Sequence, residues 1–190
     1  MKSFTEIQQL PAGKMLVSDD ILELHALRVI LMISICGNVD KIQKKPRIEG
    51  LTKFAKTDFF IRYPKFMKIA AKNMQKEINV PDDSTESSMI RFHYGPWDQR
   101  YYQLISYLIS RDLLKVEKNV SPQRYEFTIT DKGVAIALEA SNYPEFYDWI
   151  LRMNAAKSLF HNVSGTKMKN MIYGLFEEEV KDLQLGELIR

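Results

Sequence analysis

Between Asp98 and Leu138 the hydrophobic period switches from helical to alternating and back, and that order limits the folds open to the chain more than any other feature. Gly95-Pro96-Trp97-Asp98 is expected to open a helix in which Tyr101, Leu104, Ile105, Leu108 and Ile109 recur at steps of three and four, giving one apolar stripe. Leu114 to Glu117 alternates as a strand does, Asn119 to Arg124 with Pro122 forms a turn, and Tyr125, Phe127 and Ile129 alternate again. Thr130-Asp131-Lys132-Gly133 then starts a helix with Val134, Ala135 and Leu138 expected inward. A helix, a two-stranded hairpin and a helix in this order follow the winged-helix plan.

The flanking segments read as helices. Residues 1–17, with Pro11 and Gly13 and no clear period, form an arm, and Ser18-Asp19-Asp20 supplies a cap and first-turn acids. Ile21 to Cys36 is apolar on almost every side, which suits a central buried helix ended by Gly37-Asn38. A basic connector over 39–47, closed by Pro46, leads to a helix over about 48–63 carrying Ile48, Leu51, Phe54, Ala55 and Phe59. Pro64 disfavours helical geometry at Tyr63 and opens a third helix to about Lys76. There Phe66, Ile69, Ala70 and Met74 share one face, and Lys65, Lys68, Lys72 and Lys76 another. The polar stretch 77–88 is the best internal break. After the hairpin block, one helix from Asn142-Tyr143-Pro144 is expected to bury Phe146, Ile150, Met153 and Phe160. Another, capped by Ser164, is expected to bury Met168, Met171, Ile172, Leu175 and Phe176. The expected fold is mainly α (α+β): a winged-helix module with a two-stranded β-wing over 89–141, flanked by an N-terminal arm and helices over 1–76 and by a C-terminal helical pair over 142–190.

Of the 190 residues, 45% are hydrophobic and 27% charged, as in ordinary globular chains, and the net charge is only +3. The charge is unevenly spread. Lys41 to Lys76 holds eleven basic residues against Glu49 and Asp58, whereas Glu177 to Arg190 holds five acids and two bases. A basic block gives a positive field for phosphates or an acidic partner, although solvated helix faces account for the same pattern equally well. The acids of Glu177-Glu178-Glu179 fall at a helix C-terminus, against the dipole, and either meet a basic partner or keep the surface soluble.

The sequence holds no phosphate-binding glycine loop, and His25, His93 and His161 stand apart without metal-ligand spacing. Cys36 lies among Met32, Ile33 and Ile35, a setting that disfavours a reactive thiolate. Asp19/Asp20 and Asp82/Asp83 fall at a cap and in a loop, where capping and solvation explain them. No catalytic residue, cofactor or metal is therefore expected. The N-terminus lacks a signal-peptide pattern, and Val29 to Cys36 is too short to span a bilayer. A cytoplasmic protein without membrane contact is expected, in which the sequons at Asn119 and Asn162 stay unmodified.

Two kinds of surface remain. The helix in the recognition position carries only Arg100 and Arg111 against Asp98 and Asp112, too few donors for reading bases. DNA contact is thus expected at the backbone, through Lys44, Lys45, Lys65, Lys68 and Lys72 with Lys115, Lys118 and Arg124 of the wing. A winged helix that binds only protein fits the same residues. For a protein partner, Trp97, Arg100 and Tyr102 are candidate anchors, since aromatics and Arg are over-represented at hot spots. Arg62-Tyr63-Pro64 is either a helix stop, with Tyr63 packed and Arg62 paired to a carboxylate, or a joint that shapes the partner surface.

Several blocks together are distinctive: Leu51-Thr52-Lys53 leading to Asp58-Phe59-Phe60-Ile61-Arg62-Tyr63-Pro64, Met89 to Asp98 followed by Arg100-Tyr101-Tyr102, Thr130-Asp131-Lys132-Gly133, Ser164-Gly165-Thr166, Met171-Ile172-Tyr173 and Leu185-Gly186-Glu187-Leu188-Ile189. Over roughly residues 20–189 the chain resembles the middle component of bacterial ABC-three-component systems, which include the Lamassu defence group. The resemblance implies an accessory subunit beside an SMC- or Rad50-like ATPase and an effector, often a nuclease, in a system acting against phage or plasmids. With the residue reading it gives a non-catalytic bridge whose contact with double-stranded DNA, if made, is to the backbone and without sequence preference. The polar stretch at 77–88 departs from the pattern and leaves the spacing between the two halves open. The residues alone also fit a stand-alone winged-helix DNA-binding transcriptional regulator.

Overall fold

The structure, a computed structural model, describes residues 19, 21–39, 44–80, 84–119 and 123–190. The expected arm, Ser18 and Asp20 of the expected cap, the middle of the basic connector with Lys41, the Pro81–Asp83 segment and the tip of the wing at 120–122 lie outside the described residues.

Helix α1 (Leu22–Cys36) is the central element, and its all-round apolar sequence follows from what surrounds it. Val29, Leu31, Met32 and Ile33 are fully buried, and the helix packs against elements on several sides at once. Two short strands, β1 (Asn38–Val39) and β2 (Pro46–Glu49), follow it. Helix α2 runs Leu51–Arg62 and α3 Pro64–Asn73, and the hairpin β3 (Ile90–Phe92)–β4 (Gly95–Trp97) comes next. Then come α4 (Tyr101–Ser110), β5 (Leu114–Asn119), β6 (Arg124–Ile129) and α5 (Asp131–Ala140). A 3-10 turn at Pro144–Phe146 leads into α6 (Tyr147–Phe160), and α7 (Gly165–Leu175) is followed by a π-helical turn at Glu177–Lys181.

The helix–hairpin–helix block α4–β5–β6–α5 is present, but the wing is one half of a larger sheet. The strands lie in the order β1-β2-β6-β5, all antiparallel, with Ile48 opposite Phe127. Ile48, expected at the start of a helix, is a buried strand residue, and the connector expected over 39–47 supplies strand residues at both its ends. The central place of β6 explains its burial. Glu126 and Thr128 are covered along with Phe127 and Ile129, and Glu126 accepts from Arg47 at 3.0 Å across β2.

The winged-helix elements are α1, β2, α2, α4, β5 and β6, so the module reaches back well before the expected boundary at residue 89. The reason is physical: within 89–141 only α4 packs on the hairpin, at β5, while α1 and α2 cover β6 and β2 pairs along its free edge. Helix α3 and the β3–β4 hairpin are inserted between α2 and α4. The end of the polar stretch 77–88 is pinned: the Glu86 amide donates to the Arg62 carbonyl at 3.0 Å, and Val80 and Ser87 are buried. The β3–β4 hairpin stands where the sequence suggested a helix start. Three-residue strands show too little alternation to read, and Pro96 resembles a helix opener. The turn into β4 needs Gly95, whose φ of +100° L side chains rarely adopt.

Other differences are rotations of a face. Helix α3 buries Phe66, Met67, Ala70 and Ala71 and leaves Ile69 exposed, because α6 and α7 both pack on it. On α5 the buried positions are Gly133, Ala137 and Ala140, while Ala135 and Leu138 point outward. On α4 Tyr101, Leu104 and Leu108 are buried and Ile109 is not. The Thr130 hydroxyl caps α5 by accepting from the Gly133 amide at 3.1 Å. Ser164 caps α7 in the same way, accepting from the Lys167 amide. Glu177 pairs with Lys181 one turn on, a local partner for one of the three clustered acids. The C-terminal residues return to the insert. Ile90 bridges Leu188, and the Tyr63 hydroxyl accepts from the Met89 amide at 2.7 Å while donating to the Ile189 carbonyl at 3.0 Å. Among the described residues no helix is long and apolar enough to cross a membrane.

Candidate partner-docking site

The insert, the recognition-position helix and the wing meet at an aromatic groove. A column of rings starts in the core at Phe127, passes to Phe54 at 5.0 Å, to Tyr101 at 5.2 Å and to Trp97 at 5.0 Å. Trp97 then faces Tyr102 and Phe92, each at 5.9 Å between ring centres. Here the column reaches the surface, in a groove of about 290 Å³ lined by Leu51, Thr52, Lys56, Gly95 and five aromatic side chains. Tyr94 and Tyr102 are 67% and 66% exposed, and Tyr125 of β6 and Phe92 of β3 are also exposed. Large aromatics held at their bases by core rings and open at their tips offer contact area at small entropic cost.

Lys56 enters the groove floor from α2. It is 1% exposed, and its Nζ donates to the Pro96 carbonyl at 2.8 Å. Burial, with Arg91 and Lys169 nearby, lowers its pKa to about 7.

The predicted partner residues divide between groove and core. Trp97 and Tyr102 line the groove side by side. Arg62 and Tyr63 do not contribute to a partner surface, since both are buried. The helix-stop reading describes them: Arg62 is paired to a carboxylate and Tyr63 is packed under the C-terminal residues. Arg62 gives 2.6 Å to Asp98, 3.3 Å to Asp58, and its remaining nitrogens to the Ser87 and Ser88 carbonyls. Arg100 is turned inward as well, bonded to Asp98 at 2.7 Å and to Asp19 at 2.8 Å.

These residues belong to a buried charge network under the groove. Arg28 bonds Asp58 at 3.0 Å and Glu86 at 2.9 Å, and Tyr101 donates to Asp58 at 2.8 Å. Burial alone would raise the Asp58 carboxyl, but Arg28 and Arg62 hold it below the ordinary carboxylate range. Asp98 is held well below it, the effect of burial being overcome by Arg100 and Arg62. Burial and the flanking Arg28 and Arg100 push His25 down to about 4, so it is neutral at physiological pH. Cys36 is buried, donates to the Met153 carbonyl, and burial pushes its thiol up to about 12.

The candidate DNA residues fall into separate groups. Lys65 and Lys72 are exposed on α3, with Lys68 between them in sequence and partly covered. Lys45 and Lys115 lie together beside the wing, where Lys45 is paired with Asp131 at 2.8 Å. Lys44 and Lys118 are exposed, and Lys118 sits over the Tyr125 ring at 5.9 Å. Arg124 is paired with Glu49 at 2.8 Å. The basic block of the sequence is thus not one surface. Lys56 and Arg62 are buried, Arg47 is held by Glu49 and Glu126, and α3 packs against the C-terminal helices.

Sequence reasoning missed Leu51, Lys56, Phe92, Tyr94 and Tyr125 as groove residues. Tyr125 was legible only as strand alternation, and Phe92 and Tyr94 only as part of the distinctive Met89 to Asp98 block. Among the described residues no group of three or more His, Cys, Asp and Glu side chains could hold a metal ion. Comparison with known proteins yields no match to a family model, a curated protein or a solved structure.

Proposed function

We propose that this chain is a non-catalytic, cytoplasmic accessory subunit that docks partner proteins through the aromatic groove. The partners on this reading are an SMC- or Rad50-like ATPase and an effector nuclease of a bacterial anti-phage or anti-plasmid complex. The observation that carries the docking reading is the convergence of Phe92, Tyr94 and Trp97 of the β3–β4 hairpin, Tyr102 of α4 and Tyr125 of β6 on one open groove. Leu138, Tyr143, Tyr147 and Leu151, on α5, α6 and the turn between them, are also about half exposed or more, and none of them lines the groove. Exposed apolar side chains away from the groove suit a bridge. The defence complex itself comes from the sequence resemblance.

The test is co-expression with a coiled-coil SMC- or Rad50-like ATPase encoded beside this chain, where one is found, followed by sizing at micromolar concentration. The wild type should elute with the ATPase, and Tyr102→Ala should weaken the complex at least tenfold, the size expected of a hot-spot aromatic. Two separate peaks from the wild type overturn the reading. The scattered lysines and the internally paired Arg100 give little support to a stand-alone regulator that reads DNA through α4.

A further inference from the structure

We infer that the groove receives a partner segment in which an acidic side chain is flanked by aromatic or long aliphatic residues, the carboxylate meeting Lys56. This rests on the docking reading and adds the chemistry of the occupant.

The argument begins with unmet charge. Lys56 carries three N–H donors, of which one is used on the Pro96 carbonyl. Among the described residues no carboxylate forms an ion pair with it, and the charges that act on it are the cations Arg91 and Lys169. A nearly fully buried amine set beside like charges is costly, and an incoming anion relieves that cost. Arg91 is short of partners too: its Nε and Nη1 are buried without hydrogen bonds, and its guanidinium lies over the Tyr173 ring at 5.2 Å. Lys169 stands over the same ring at 5.9 Å.

Lys56 lines the groove beside Gly95. A Cβ at residue 95 would lie 3.5 Å from Lys56 Nζ and 3.4 Å from a Tyr173 ring carbon, so the glycine adds no side chain over the amine. Around it the lining is apolar, with Leu51, Phe92 and Trp97, and three tyrosines stand exposed on different elements. That arrangement fits one anion with apolar neighbours on both sides. A nucleic-acid strand needs cations spaced along an open track. Here the lining holds one buried cation, Lys56, and the exposed rim carries tyrosines, so a peptide is favoured. The volume of about 290 Å³ suits one or two anchoring side chains.

The test uses two peptides differing by one charge, acetyl-Phe-Glu-Leu-amide and acetyl-Phe-Gln-Leu-amide, with Trp97 fluorescence as the readout and an eight-residue oligothymidylate as a third probe. At pH 7 the wild type should bind the Glu peptide at least tenfold tighter than the Gln peptide. The preference should fade by pH 9 as Lys56 deprotonates. In Lys56→Met, which fills the same space without charge, the two peptides should bind equally, and thermal unfolding checks that the variant folds. Equal affinities in the wild type overturn the inference without any variant. So does a Glu preference that survives in Lys56→Met, or oligothymidylate binding tighter than the Glu peptide. If Tyr102→Ala abolishes the ATPase complex while the wild type ignores the peptide charge, docking stands and the carboxylate falls. If the peptides discriminate as expected while no ATPase complex forms, the groove chemistry stands and the ATPase is not its occupant.

Discussion

Arg62 and Asp98, thirty-six residues apart, meet at 2.6 Å with both side chains buried, and this contact ties the inserted hairpin to α2. Removing one partner strands the other. Arg62→Ala should cost about 3–5 kcal/mol, the usual loss when half of a buried ion pair is deleted. It leaves the Ser87 and Ser88 carbonyls without their donor as well. Urea unfolding followed by circular dichroism measures the loss, and a change under about 1 kcal/mol would show that water replaces the guanidinium.

Stability should fall between pH 6.5 and pH 4. His25 is about 4 in the folded chain against 6.5 when exposed, so the unfolded chain binds the extra proton across that window. Its contribution is full above pH 6.5 and is lost as pH drops toward 4, about 3 kcal/mol in all. Asp19, Asp58 and Asp98, all held below the ordinary range, add acid sensitivity at lower pH, as the unfolded carboxylates begin to protonate. His25→Gln should flatten the upper part of the profile. Urea midpoints at pH 5 and pH 7 for both proteins test this.

The Thr130-Asp131-Lys132-Gly133 block has two separable roles. A Cβ on Gly133 would stand 2.4 Å from the Leu113 carbonyl and 2.7 Å from Ile129 Cγ1, so Gly133→Ala must push α5 off the wing. The cost should be about 1–3 kcal/mol, typical of overpacking. Thr130→Ala removes the cap and the hydroxyl's 2.7 Å bond to the Asp112 carbonyl but introduces no clash, and should cost about 1 kcal/mol. Thermal unfolding of the two variants should rank them in that order.

Duplex DNA of random sequence, if bound, should be held at separate patches. Changing Lys65, Lys68 and Lys72 to Glu should lower the slope of log affinity against log salt by at most about three, from about 0.9 per phosphate. Changing Lys115 and Lys118 to Glu should lower it by at most about two, independently of the first set. Fluorescence anisotropy at several salt concentrations measures both. A triple variant that also abolishes the wing's contribution would mean one continuous DNA track.

The helical frame was legible because period and caps carry it. The α1 run, the Tyr101, Leu104 and Leu108 part of the α4 stripe, the Ser164 cap and the helix start at Thr130 stand where the sequence placed them. What escaped was set by tertiary partners. Pro46-Arg47-Ile48-Glu49 becomes a strand only because β6 lies beside it, and a four-residue strand after a proline gives no period to read. Leu138 and Ile69 match a helical stripe yet face outward, since their helices are rotated by neighbours distant in sequence. Of the site, Trp97 and Tyr102 could be named from residue type, whereas Lys56 could not. Nothing local distinguishes a buried lysine from the solvated lysines around it.

The antiparallel match of β2 with β6 bears on how the chain reaches its native state. Arg47 and Glu126 pair across seventy-nine residues, with α2, the whole insert, α4 and β5 lying between. The β5–β6 hairpin closes a short loop and can form early, but β2 must await the collapse of everything it brackets. This mainly helical chain therefore carries the long-range pairing that slows β proteins. Its refolding belongs on the millisecond-to-second side of the range, with the outer half of the sheet the last part to zip.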